Sequence, residues 1–213
     1  MNKTDIPWAD YSWNPIVGCS PASEGCANCY AAAISRRFHL PWGSAHFIQD
    51  RLGQPARKKK PGRVFVCSMA DLGHETVAPD WRDMVLDEMR SAPWHTYIVL
   101  TKRPGAWMRP FHELGCWCGV TAENQDGYEE RWLQMTAHCY GRYGGARFLS
   151  VEPMLGPVSL RGDWVIPDWV IAGPETGSKA RPCSNSWVNE LSDESECFFD
   201  KRESWRRREW PGL

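Results

Sequence analysis

Long apolar runs are missing from this chain of 213 residues: none approaches the roughly 18 residues that a membrane-spanning helix needs. The opening Met1-Asn2-Lys3-Thr4-Asp5 lacks the apolar core of a secretory signal, so the sequence predicts a cytoplasmic protein without membrane association. Charge excess is missing too. Basic and acidic side chains number 25 and 26, which excludes a generally basic nucleic-acid binder. Internal repeats and low-complexity tracts are absent. With 42% hydrophobic and 24% charged residues the composition is that of a folded chain. One domain over residues 1–213 is the expectation at this length. What stands out is nine cysteines beside thirteen tryptophans. Nine is odd, and a reducing cytoplasm keeps thiols free, which argues against a disulfide framework and for metal ligands plus ordinary buried thiols. The tryptophans are dispersed, with Trp81, Trp132 and Trp169 placed like core residues.

Short β-type runs recur along the chain: Tyr11–Val17, Arg63–Met69, Thr96–Thr101, Cys116–Thr121, Arg147–Glu152, Asp168–Gly173 and Glu196–Asp200. They are near-continuously apolar, the pattern of parallel strands covered on both faces. Between them, Pro79–Arg90 places Trp81, Val85 and Met89 at helical spacing, with acids early and Arg90 late. Gln125–Cys139 and Ser184–Glu194 read as further helices. Alternation of strand and helix predicts an α/β fold with a parallel sheet. Residues 40–62, with Arg57-Lys58-Lys59-Lys60, read as an exposed insertion, and residues 201–213 as a basic tail.

Polar residues gather where these strands end. Ser68 and Asp71 follow the second, Thr101, Lys102 and Arg103 the third, and Thr121, Glu123 and Asn124 the fourth. Ser150 and Glu152 close the fifth, and Glu175, Thr176 and Arg181 follow the sixth. In parallel α/β folds the carboxyl ends of the strands line the active site.

The sharpest motif is Gly18-Cys19-Ser20-Pro21-Ala22-Ser23-Glu24-Gly25-Cys26-Ala27-Asn28-Cys29-Tyr30, with the spacing C-x6-C-x2-C. A C-x2-C pair brings two thiolates to one side of a tight turn, and a loop of six residues folds a third onto the same centre. Three thiolates leave one position open. Zinc would complete its tetrahedron with His39, His46 or His74. A [4Fe–4S] cluster would leave its fourth iron for an exogenous ligand.

Three cysteines after the first strand of a β/α barrel resemble the radical S-adenosylmethionine enzymes, although the common spacing there is C-x3-C-x2-C. The variant spacing, with Trp13-Asn14-Pro15-Ile16-Val17-Gly18 ahead of it, is similar to a phage-associated three-cysteine family of mostly unassigned function. Further blocks carry the resemblance along the chain: residues 65–72, 100–104, 119–125, 148–157 and 173–182. It implies a partial (β/α) barrel of about six to seven parallel strands, with Cys19, Cys26 and Cys29 ligating a [4Fe–4S] cluster whose free iron binds S-adenosylmethionine. One electron from a reducing partner then cleaves the sulfonium, and the resulting 5′-deoxyadenosyl radical takes hydrogen from a substrate.

By the same resemblance Ser68 and Asp71 are expected at the methionine amino group. Thr121, Glu123 and Ser150 are expected at the ribose or carboxylate, Lys102 or Arg103 at the carboxylate or a substrate phosphate, and Tyr30 over the adenine or the cluster. Glu152, among apolar neighbours, completes the cofactor-binding set. Cys67 and Cys183 are candidate hydrogen-atom donors, while Cys67, Cys116, Cys118 and Cys197 also read as small buried hydrophobes and Cys139 as a local thiol. The basic clusters, Arg57–Lys60 with Arg63 and Arg206-Arg207-Arg208 with Trp205 and Trp210, would suit a phosphate backbone with stacked bases. The expected function is radical chemistry on a nucleic-acid base or nucleotide, as modification or photolesion repair. Alternatives are a zinc- or iron–sulfur-braced nucleic-acid-binding module, and radical chemistry on a peptide or small metabolite.

Overall fold

A computed structural model describes residues 1–141, 143–162, 165–202 and 208–211. Trp205, Arg206 and Arg207, expected above as part of a phosphate grip, lie outside the described residues. The strands are β1 (Asn2–Lys3), β2 (Tyr11–Trp13), β3 (Ile16–Val17), β4 (His46–Phe47), β5 (Arg63–Val66) and β6 (Thr96–Thr101). Then come β7 (Trp117–Ala122), β8 (Arg147–Val151), β9 (Trp169–Ala172) and β10 (Phe198–Asp200). The helices are α1 (Tyr30–Arg37), α2 (Gln54–Arg57), α3 (Pro79–Ser91), α4 (Arg109–Glu113), α5 (Gln125–His138) and α6 (Asn185–Asp193).

Eight strands form one sheet in the order β1-β2-β5-β6-β7-β8-β9-β10. β1 pairs antiparallel with β2, and every other pairing in the sheet is parallel. All seven expected runs therefore supply a strand of this sheet, in a mixed α/β fold. Among the described residues the sheet is open, with β1 and β10 at its edges. The first run breaks at Asn14-Pro15 into β2 and β3, because proline has no N–H for the ladder. Asn14 replaces the lost pairing with its side chain, accepting from the Met69 N–H at 2.9 Å.

The near-continuous hydrophobicity of the strands follows from two buried faces. On one, Val64, Val66, Tyr97, Val99, Cys118, Val120, Leu149, Val151, Val170 and Ala172 share a core with Val85 and Met89 of α3 and Trp132 of α5. On the other, Phe65, Ile98, Trp117, Phe148, Trp169, Ile171 and Phe199 pack with Trp8. Trp169 is the hub of that second face, its ring between 5.4 and 6.4 Å from those of Trp8, Trp117, Phe148 and Phe199. Such edge and tilted pairs each contribute about 0.5–1.5 kcal/mol beyond the area they bury. Helix boundaries follow local chemistry. Pro79 opens α3 in its first turn, Asn124 caps α5 through the Gly127 N–H at 3.0 Å, and Ser184 caps α6 through the Ser186 N–H at 3.2 Å. Among the described residues no helix is long and apolar enough to cross a membrane.

The segment 40–62 is not a free excursion. It contributes β4, which pairs with β3, and α2. Its Arg51 and Lys58 carbonyls accept from the indoles of Trp13 and Trp94, both at 2.8 Å. Four of the basic residues expected to grip phosphate make contacts within the fold. Lys58 and Lys59 lie over the rings of Tyr11 and Trp94, at 5.0 and 4.8 Å, and Arg63 pairs with Asp10 and covers Trp210 at 4.7 Å. Arg208 lies over Phe199 at 5.3 Å.

Candidate functional site

After β3 the backbone turns at Gly18, whose φ of +89° lies in the region that favours glycine. The Gly18 N–H donates to Met69 O at 3.0 Å, which ties the start of the cysteine loop to the end of β5. The loop then crosses the carboxyl ends of the parallel strands and covers a cavity of about 270 Å³. Cys19, Cys26 and Cys29 all line it. So do Tyr30, Asp71, Lys102, Thr121, Ser150 and Glu152. These nine expected residues, from five segments of sequence, thus share one wall. A second cavity, of about 120 Å³, meets the first at Cys19, Cys26, Cys29 and Tyr30.

Other expected residues sit elsewhere. Ser68 faces the smaller cavity, where it exchanges hydrogen bonds with the Asn14 amide at 3.2 Å. Glu123, 2% exposed, lies behind the loop. Cys67, 2% exposed, is in the core and Cys183 is bonded to its neighbour's carbonyl; neither lines the cavity. Burial pushes the Cys67 thiol up to about 12. Cys116, Cys118 and Cys139 are buried and Cys197 is half-buried.

The loop is anchored at two points by a dipeptide that follows β6. Arg103 donates through Nη2 to Ser20 O at 3.0 Å and Ser20 Oγ at 3.2 Å, and its Nη1 lies 3.8 Å from Cys19 Sγ. Asp71 and Glu75 hold that guanidinium at 3.4 and 3.5 Å. Lys102 donates to Glu123 and, at 3.0 Å, to Ser23 Oγ, which lies 3.9 Å from Cys26 Sγ. Ser23 also donates to Glu123 at 2.5 Å, and Arg131 holds the second oxygen of that carboxylate at 3.0 Å. Burial pushes Glu123 up, but Lys102, Ser23 and Arg131 outweigh it and hold the group below the usual carboxylate range. Gly25 packs directly on this locked carboxylate, since a Cβ there would fall 2.5 Å from Glu123 Oε1. The six residues between Cys19 and Cys26 therefore form a seat: Ser20 on Arg103, then Ser23 and Gly25 on Lys102–Glu123.

These contacts divide the thiols. Burial and the facing Asp71 push Cys19 up, with Arg103 opposing them. Burial raises Cys26 as well, but the Ala22 N–H, Lys102 and Ser23 prevail and its thiol titrates below the ordinary value. Cys29 is the N-cap residue of α1, and its carbonyl accepts the Ala33 N–H at 3.1 Å.

Asp71, expected at a ligand amino group, has its oxygens taken by the Gly73 and Lys102 N–H groups, Thr101 Oγ1 and Arg103. It clamps the β5 and β6 loops. Polar groups facing the cavity include Thr121, Ser150, Thr176 and the ion pair of Glu152 with Lys201. Lys201 comes directly after β10, and the strand-end rule points to it although it was not among the expected residues. Gly173 makes the pair possible, because a Cβ there would lie 2.9 Å from Lys201 Cβ and 3.3 Å from Glu152 Oε1. Glu175, also on the cavity wall, is held by Arg181 through its backbone N–H and guanidinium, which lower its carboxyl to about 2. Ile6, Trp8, Phe65 and Leu100 supply an apolar portion of the wall.

The surroundings of the three thiols bear differently on zinc and on a larger cluster. His74, buried, uses both ring nitrogens: Nε2 on Ser20 Oγ at 2.8 Å and Nδ1 on Thr76, whose N–H donates to it at 3.2 Å. His39 and His46 are exposed, and His46 is bonded to Ser44. Among the described residues, no three His, Cys, Asp or Glu side chains converge on a position for one metal ion. Zinc, with Zn–S near 2.3 Å, needs its sulfurs within about 4 Å of one another. A four-iron cluster spreads its cysteines around a larger body and accepts three. Three half-buried thiols lie around the junction of two cavities, and no other described Cys or His lines either.

No curated protein and no solved structure matches the chain. The family described as "Protein of unknown function (DUF5131)" matches residues 3–206. That span is nearly the whole molecule, cysteine loop and cavity wall included, and the chain belongs to the DUF5131 family.

Proposed function

We propose that the protein is a radical S-adenosylmethionine enzyme built on a partial β/α barrel, acting on a nucleic-acid base or nucleotide with electrons from a reducing partner. The observation that carries this reading is the shared wall: Cys19, Cys26 and Cys29 border the same cavity as the polar strand-end residues Thr121, Ser150 and Glu152. When bound, a [4Fe–4S] cluster and S-adenosylmethionine supply reductive cleavage of a sulfonium and removal of a substrate hydrogen.

The chain's own residues do the rest. Arg103 places positive charge and a hydrogen-bond donor at the Cys19 sulfur, and Lys102 places positive charge near Cys26. Glu152 and Lys201 present an acceptor and a donor side by side for the polar groups of methionine or ribose, with Thr121 and Ser150 beside them. Trp8 and Phe65, ring centroids 4.7 Å apart, give the cavity an apolar surface that excludes water and suits a planar base.

Anaerobic reconstitution with iron and sulfide tests the reading. The expected product is a brown protein that, once reduced, forms 5′-deoxyadenosine from S-adenosylmethionine. A colourless protein holding one zinc ion would sink it. Substrate class is read from binding to single-stranded DNA, RNA and free nucleotides across a salt series. A grip dominated by phosphate weakens steeply with salt, while one on the base does not.

A further inference from the structure

We propose that the adjacent cations Lys102 and Arg103 set the reduction potential of the cluster, each beside a different ligand sulfur: Arg103 by direct contact with Cys19, and Lys102 by its charge near Cys26. The inference rests on the reading that these cysteines hold a [4Fe–4S] cluster, and it assigns that cluster's control to one dipeptide.

The geometry is specific to the pair. Arg103 turns to one side of the strand end, where Nη1 reaches Cys19 Sγ at 3.8 Å while Nη2 holds the Ser20 carbonyl at 3.0 Å. Lys102 turns to the other, bonding Ser23 Oγ at 3.0 Å, which in turn lies 3.9 Å from Cys26 Sγ. Both cations are mostly buried, with side-chain exposures of 20% and 16%, so their fields are poorly screened. A cluster gains negative charge on reduction. Positive charge and hydrogen-bond donors at its sulfurs stabilise the reduced state and raise the potential.

The counter-ions predict an unequal response. Arg103 is the cation between Cys19 and two carboxylates, Asp71 at 3.4 Å and Glu75 at 3.5 Å. Neutralising it removes a donor and leaves the Asp71 carboxylate, which opposes a thiolate at Cys19, without its guanidinium partner. Lys102 shares Glu123 with Arg131, which holds that carboxylate at 3.0 Å. Neutralising Lys102 leaves Glu123 still paired. Arg103 therefore has the larger effect. Both act on the ligands and touch no substrate atom, so they are positioning residues.

The test compares wild type with Arg103→Gln, Arg103→Lys and Lys102→Gln, each as the full chain reconstituted anaerobically. Iron and sulfide are counted first, and the midpoint potential is then read by redox titration monitored by electron paramagnetic resonance. Expected is a full cluster in all four, a more negative potential in Arg103→Gln, a smaller shift the same way in Lys102→Gln, and recovery of most of the loss in Arg103→Lys. A fully loaded Arg103→Gln at the wild-type potential overturns the proposal. Where Arg103→Gln does not assemble a cluster, Lys102→Gln decides it: a potential below wild type supports the proposal and an unchanged one overturns it. Wild-type protein that binds no iron refutes the functional reading itself, and this inference with it, at the counting step.

Discussion

Cys26 and Cys116 are chemically the same side chain in opposite surroundings. Cys26 is half-buried on a cavity wall, with an N–H at 3.4 Å, a serine hydroxyl and a lysine beyond it. Cys116 is 2% exposed among apolar side chains, its Sγ 3.7 Å from the Met89 sulfur, and burial pushes it up to about 12. The first environment favours a thiolate, and the second disfavours one. Cysteine number carries little information in this chain. What distinguishes Cys26 from Cys116 is access to positive charge and hydrogen-bond donors.

Breaking the comparison outright means exchanging what each thiol supports. Cys26→Ala should abolish cluster iron, measured after anaerobic reconstitution, while the protein stays folded. Cys116→Ala should keep full iron and lose about 1 kcal/mol of stability in denaturant titration. Retention of a four-iron cluster in Cys26→Ala removes it from the ligand set. A milder version uses reactivity. In cluster-free native protein, iodoacetamide should label Cys26 on the order of 100-fold or more faster than Cys67 or Cys116 near neutral pH, as read by peptide mass mapping. Comparable rates would mean that the loop's charges do not reach the sulfur.

Along the cavity wall the effects become smaller. Gly173→Ala should push Lys201 from Glu152 and weaken S-adenosylmethionine binding by about tenfold, the equivalent of about 1.4 kcal/mol, with cluster content unchanged. Equal affinity for the two proteins would free the ion pair from any ligand role. The smallest effect concerns Glu175, lowered to about 2 by its bonds to Arg181. A depressed carboxyl stabilises the fold above its unfolded value, about 4.3, and that contribution fades as pH falls toward 2. Wild type should therefore melt above Glu175→Gln at pH 6, with the gap narrowing as the pH drops. A gap that widens on acidification contradicts the assignment.

The sheet was readable because hydrophobic continuity reports burial on both faces, and all seven expected runs, from Tyr11 to Asp200, contribute strands. α3, α5 and α6 were readable from spacing, and the structure adds the caps Asn124 and Ser184. β1 and β4, two residues each, carry no periodicity and are made by their partners. At the site, strand-end position alone brought Thr121, Ser150 and Glu152 to the cavity. It could not reveal that Asp71 is consumed by its own loops or that Ser68 turns to Asn14, because donor count decides both. Nor could it find the seat of the loop. Ser23 meets Glu123 across 100 residues of sequence, and nothing local to Ser23 or Gly25 announces that contact.

The most direct test of the central claim is an iron and sulfide count on the anaerobically reconstituted full chain, paired with an assay for 5′-deoxyadenosine after reduction with S-adenosylmethionine present. The account predicts about four iron and four sulfide per chain, with 5′-deoxyadenosine formed and both lost together in Cys19→Ala. Fewer than two irons per chain, or a full cluster that survives the loss of Cys19, would contradict it.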